Sequence, residues 1–163
     1  MKVRKRMVVF LILTTIWAAV IMWDALVVEA RAEEKEAWID YIEIICQERG
    51  ICPELVEAII ERESGWDPEA VNGDCIGLMQ VSEKWHRERM ERLGVTDLTD
   101  PYDNILVGVD YLSELSGKYE VGLALMIYNG DSRAESLWRA GKTSDYATWI
   151  LERSAQLERL HGK

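Results

Sequence analysis

Four positive charges, Lys2, Arg4, Lys5 and Arg6, stand directly before the 16 uncharged residues of MVVFLILTTIWAAVIM. A basic flank followed by such a run directs a chain to a membrane, and it splits this sequence into a delivery segment and a remainder. Trp23 is an interface-type aromatic, Asp24 is the first acid, and Ala30 and Ala32 supply the small-x-small spacing of a signal-peptidase site. Residues 1–32 read as a signal peptide or a signal anchor, with a hydrophobic membrane helix from about residue 7 to residue 28 that is long enough to span a bilayer. Both readings place the rest of the chain outside the cytoplasm, anchored by a single pass or secreted.

From Glu33 onward the chain carries 14 basic against 27 acidic side chains, a net of −13. A polyanion is repelled by such a surface, so no nucleic-acid partner is expected. About 130 residues suffice for one compact domain and little else. All three cysteines, Cys46, Cys52 and Cys75, fall in this part. A Cys52–Cys75 disulfide would close a loop of about 24 residues and stabilise the fold by about 3.5 kcal/mol; three reduced, buried thiols are the alternative. Neither the cysteine spacing nor the positions of His86 and His161 form a zinc pattern, so no metal is expected.

Punctuation by Gly, Pro and Asp divides the acidic part into helices, with few alternating runs that could make strands. The expected fold class is all-α or mainly α. A lead-in helix over 33–50 places Trp38, Ile39, Ile42, Ile45 and Cys46 on one stripe and stops at Gly50. Pro53 opens the next helix, where its missing N–H has no intrahelical partner to lose. Residues 65–81 are an irregular segment of the kind that carries function. Further helices follow Ser82, Pro101, Glu120 and Ser132, and an amphipathic helix runs from Asp145 to Leu160. Trp38, Trp85, Trp138 and Trp149 read as packing residues, and His86 and His161 as solvated ones.

One carboxylate breaks the pattern. Val56, Ile59 and Ile60 follow the three-four spacing of a core-facing stripe, and the next position in that register is Glu63. Glu57 and Glu61, four apart, occupy the other side as surface acids would. A carboxyl among apolar neighbours holds its proton more tightly, which prepares it to act as a general acid near neutral pH. By periodicity alone, a boundary or salt-bridged glutamate is the favoured reading.

The residues downstream narrow the choice. Glu63 and Ser64 are followed by Trp66 and Pro68; Gly77, Leu78, Met79 and Gln80 form an intact Gly-Leu-Met-Gln; Tyr128 and Asn129 form a Tyr-Asn pair; and Tyr146 with Ala147 gives a late Tyr-Ala. In this order and at these intervals the motifs resemble the soluble lytic transglycosylase (SLT) family, which is lysozyme-like and related to goose-type lysozyme. The resemblance spans about residues 51–157, and the expected domain is 51–160. Ile127 stands where the family usually has Ala, Gly130 follows Asn129 at once, and Asn72-Gly73-Asp74-Cys75 replaces the usual approach to the second motif. These departures lie beside matched residues and bear on loop geometry.

The resemblance implies a lysozyme-like helical domain that cleaves the β-1,4 bond between N-acetylmuramic acid and N-acetylglucosamine and leaves 1,6-anhydromuramyl ends. Glu63 would be the catalytic acid and base. Ser64, Met79, Gln80, Asn129 and Tyr146 would support it or bind substrate, and Tyr128 would orient the acid. The Cys52–Cys75 link would brace the altered loop. No cofactor is implied. The partners would be peptidoglycan glycan strands, the membrane through an uncleaved N-terminal segment, and cell-envelope, secretion or conjugation machinery; the location would be the cell wall. Two alternatives remain: a water-using muramidase with Asp67 or Asp74 as a second acid, and a peptidoglycan-binding or assembly protein without turnover.

Overall fold

The computed structural model describes residues 2–163, with side chains from residue 17 onward. Helix α1 runs over Lys2–Arg49 and α2 over Pro53–Glu63. A small hairpin pairs β1 (Val71–Asn72) with β2 (Cys75–Ile76), and α3 (Glu83–Leu93), α4 (Pro101–Ser116), α5 (Val121–Tyr128), α6 (Ala134–Arg139) and α7 (Asp145–Leu160) follow. The chain divides into two compact units, Met1–Ala37 and Trp38–Lys163.

The expected N-terminal membrane helix is corrected. Among the described residues, no helix is long and apolar enough to cross a membrane. The described side chains of the expected helix begin at Trp17 and carry an apolar run to Val28. Asp24 interrupts it, and Glu29, Arg31, Glu33 and Glu34 follow. The first part of the expected span, residues 7–16, lies outside the described side chains.

The unit from Trp38 onward is built of helices and the one hairpin, and three of its helices, α2, α4 and α7, start at a proline or a side-chain cap. Pro53 and Pro101 stand in the first turns of α2 and α4. Asp100 accepts hydrogen bonds from the N–H groups of Tyr102 and Asp103, and Ser144 accepts one from Ala147. Such caps satisfy donors that the helix itself leaves unpaired, typically for about 1 kcal/mol each. Helix α2 packs on α7, α4 on α3 and α5, and α5 also on α6 and α7. Between them lie the fully buried Ile42, Ile59, Ile60, Ile105, Leu112, Leu125, Met126 and Ile150. Burying each side chain of this size contributes about 1.5–3 kcal/mol. The core thus grips α2 along most of its length and presents its C-terminal end, with Glu63, to the irregular segment.

Several surface assignments change. Glu57 is buried, as is Glu54 one turn earlier, because α7 and the residues after it cover this face of α2. His161 is therefore engaged: its Nδ1 lies 3.1 Å from Glu54 and 3.9 Å from Glu57. Trp85 is 75% exposed, with the Lys84 ammonium over its ring. His86 is half-buried, its ring 4.5 Å from that of Tyr111, at a point where α3 departs from helical geometry. The expected Cys52–Cys75 bridge is not formed, and all three thiols are free. Cys52 precedes the first turn of α2, where its thiol donates to Glu54, whereas Cys75 sits on β2 within the field of Glu63, at the other end of that helix. A helix of this length sets its ends about 16 Å apart, and a disulfide needs Cα atoms within about 7 Å.

Candidate active site

Glu63 is the last residue of α2, and Ser64 caps the helix. The chain then turns through left-handed conformations at Gly65 and Trp66 and enters the hairpin. The Glu63 carboxyl is half-buried and accepts a 2.6 Å hydrogen bond from the Tyr146 hydroxyl. Burial raises its affinity for a proton; the Tyr146 hydrogen bond and the positive charge of Arg62 oppose this without cancelling it, and the net displacement is upward. Arg62 is itself steered by Trp149, with the guanidinium 5.4 Å from the ring centre. Tyr146 is buried in the first turn of α7, and burial beside Glu63 keeps its phenol protonated far above the ordinary range. Its hydroxyl is thus a permanent donor to Glu63.

The Gly-Leu-Met-Gln segment wraps past this carboxyl, and its polar groups are turned on the chain itself. The single proton of the Ser64 hydroxyl is shared between the carbonyls of Leu78, at 2.9 Å, and Ile60, at 3.1 Å. Gln80, with φ +48°, donates its side-chain amide to the carbonyls of Ala70 and Gly77, both at 3.0 Å. Met79 is fully buried against Gly108, so its side chain belongs to the core and not to a sugar-facing surface. The Tyr128 hydroxyl donates to the Met79 carbonyl at 3.0 Å. That geometry separates the two tyrosines: Tyr146, not Tyr128, makes the hydrogen bond to Glu63, while Tyr128 ties the loop to α5 and feels the Glu63 charge. Asn129 caps α5 with an exposed side chain.

Asp67 and Asp74, the alternative second acids, are both exposed. Asp67 caps its own turn by accepting from Glu69 N–H, and Asp74 faces Lys84 at 3.8 Å. Neither hydrogen-bonds Glu63, whose carboxyl is held by Tyr146. Among the described residues, no group of three or more His, Cys, Asp or Glu side chains is arranged to hold a metal ion.

Three contributors were not singled out in the sequence. Asn104, on the first turn of α4, is fully buried and hydrogen-bonded on all sides. Tyr111 stacks on Tyr128 with ring centres 5.4 Å apart, and Arg62 contributes its charge. Asn104 had a legible signal: it precedes Ile105 and stands four residues before Gly108 in an apolar helix register, the same anomaly that marks Glu63.

Residues 40–150 match the model of the transglycosylase SLT domain family. The chain belongs to this family. Among curated relatives of the SLT domain here, the transglycosylase of Enterobacteria phage PRD1 is 32% identical over 117 residues, 71% of this chain and 42% of the phage protein. The endo-type membrane-bound lytic murein transglycosylase A of Salmonella enteritidis is 36% identical over 101 residues, 57% of this chain and 48% of that protein. The chain spans less than half the length of the curated relatives it matches. Among solved structures, an inactive mutant of the lytic transglycosylase Slt from Pseudomonas aeruginosa superposes with a TM-score of 0.66 at 21% identity, covering 76% of this chain and 24% of that one. The 70 kDa soluble lytic transglycosylase of Escherichia coli gives 0.65 at 21% identity with the same coverage. These two show that the SLT domain here has their fold.

Proposed function

We propose that this chain is a lytic transglycosylase that cuts peptidoglycan between N-acetylmuramic acid and N-acetylglucosamine. The protonated Glu63 donates to the glycosidic oxygen as the bond from muramyl C1 breaks. The resulting carboxylate accepts the proton of the muramyl 6-hydroxyl as that oxygen closes on C1. The product is a 1,6-anhydromuramyl end, and no water enters. In this reading Tyr146 orients the acid, Ser64, Gln80 and Tyr128 hold the wall of the cleft, Met79 supports that wall from the core, and Asn129 faces the substrate. Membership of the SLT family and relatives named as lytic transglycosylases support the reaction class.

The observation that carries the mechanism is the solitude of the carboxyl. Glycosidases that use water or a covalent intermediate pair two carboxylates across the bond. The side chain hydrogen-bonded to Glu63 is the Tyr146 hydroxyl, which supports a reading in which one carboxyl serves as both acid and base and the nucleophile is the substrate's own 6-hydroxyl. The muramidase alternative requires Asp67 or Asp74, both exposed, the first accepting from the Glu69 N–H and the second 3.8 Å from Lys84. The substrate lies outside the cytoplasm, so the domain acts there, and local opening of the wall is a step that envelope-crossing secretion or conjugation machinery requires.

Mass spectrometry of fragments released from purified sacculi tests the proposal. Wild type is expected to release anhydromuramyl ends, lighter by one water than reducing ends, and Glu63→Gln to release none. Reducing muramic ends, or binding to sacculi without release by either protein, would overturn it.

A further inference from the structure

We infer that Asn104 is a positioning residue for this site, its buried carboxamide fixing the loop whose carbonyls hold Ser64 and Tyr128 beside Glu63. The kinetic part of this inference rests on the proposed reaction; the geometric part does not.

The carboxamide sits at 0% exposure on α4, and each of its polar atoms is used. Oδ1 accepts the Met79 N–H at 2.8 Å, and Nδ2 donates to the Ile76 carbonyl at 2.8 Å and to the Leu98 carbonyl at 3.0 Å. Ile76 and Met79 flank Gly77 and Leu78, so one side chain grips the turn at both ends. The turn is drawn so close that a Cβ on Gly77 would lie 2.3 Å from Nδ2, and Gly77 has φ +76°. Only a residue without a side chain permits this approach.

Two carbonyls project from the clamped turn toward the site. Leu78 accepts from Ser64, the residue after Glu63, and Met79 accepts from Tyr128, whose phenol is close enough to feel the Glu63 charge. Asn104 touches neither Glu63 nor the space beside it. Its influence passes through two peptide groups into the hydroxyls of Ser64 and Tyr128. The Tyr146 hydrogen bond does not pass through this turn.

The chemistry explains why the position needs an amide. Two acceptors and one donor converge on it, and only Asn or Gln offers the complementary set. Aspartate has almost the same shape but, when ionised, would face the Ile76 and Leu98 carbonyls with no proton to give. A buried polar group left unpaired is costly, so the turn must shift.

The test compares wild type, Asn104→Asp, Tyr128→Phe and the double variant, with thermal unfolding as the control for folding. Anhydromuramyl release by Asn104→Asp is expected to fall at least tenfold in kcat with KM within twofold, and the double variant to be no slower than the slower single variant, because both act through the Met79 carbonyl. The Glu63 carboxyl resonance, followed by NMR in the same proteins, is expected to titrate at lower pH once the turn no longer shields it. A folded Asn104→Asp with wild-type kcat and an unmoved Glu63 titration overturns the inference, as do independent effects of the two substitutions. Should Asn104→Asp not fold, Asn104→Ser, which introduces no charge, carries the same measurements. If wild type itself yields no anhydromuramyl ends, the reaction fails, and the Glu63 titration alone decides the role of Asn104.

Discussion

Glu54 and Glu63 stand at opposite ends of α2, both withdrawn from water, with ionisations displaced in opposite directions. Burial by itself would raise Glu54. Hydrogen bonds from Lys163, from the Cys52 thiol, from its own backbone N–H and from His161 more than offset this, and its pKa is lowered from 4.5 to about 2. The folded value lies below the unfolded one, so between pH 4.5 and 2 the unfolded chain binds more protons and stability rises with pH. The contribution is fully present above pH 4.5 and is lost as pH falls through 2. At 1.36 kcal/mol per pH unit, the interval corresponds to about 3 kcal/mol. Glu54→Gln cannot titrate there. Urea unfolding followed by circular dichroism at pH 6, 3 and 2 isolates the effect. The stability difference between wild type and Glu54→Gln is expected to move in favour of the variant by about 2 kcal/mol from pH 6 to pH 3 and by about 3 kcal/mol at pH 2. A difference constant from pH 6 to pH 3 would refute the reasoning, whatever its absolute size.

Three further outcomes follow from the geometry. Tyr146→Phe removes a donor that favours the ionised Glu63, so the alkaline limb of the pH–rate profile should move to higher pH while kcat falls about tenfold or more, a hydrogen bond to a charged group being worth about 1.5–3 kcal/mol; a limb that stays put or moves to lower pH contradicts the assignment. Gly77→Ala combines a left-handed backbone with a Cβ pressed on the Asn104 amide, and should lower unfolding stability by at least about 1–3 kcal/mol. Because Cys52 and Cys75 lie at opposite ends of α2, the melting temperature should be the same with and without dithiothreitol; a fall on reduction would restore the bridge.

The helices were legible in the sequence because local chemistry specifies them: Pro53, Pro101, Asp100 and Ser144 start them, and Gly94 ends α3 in the left-handed conformation. Glu63 was legible for the same reason, as a charge in an apolar register. What periodicity could not supply was coverage by distant parts of the chain. Glu57 looked like a surface acid on α2, and only the fold brings His161 and Lys163 back over that face. The motif read Tyr128 as the partner of the acid, but a motif ranks residues by order and not by distance, and the fold delivers Tyr146 instead. The N-terminal run read as a membrane helix from its flank and its apolar length together, whereas among the described residues no helix is long and apolar enough to cross a membrane.

The inward-turned hydrogen bonds of Ser64, Gln80 and Tyr128 have a consequence for how such chains are to be told apart. Their donors terminate on main-chain carbonyls, so these residues specify the shape of a turn and not the identity of a sugar. On the proposed mechanism, a chain that kept them and replaced the glutamate at position 63 would keep the hydrogen bonds that shape the turn and lose the group that does the chemistry. For sorting active members from inert descendants of this architecture, the single residue at the end of α2 is therefore more informative than the longer Gly-Leu-Met-Gln signature that draws attention to it.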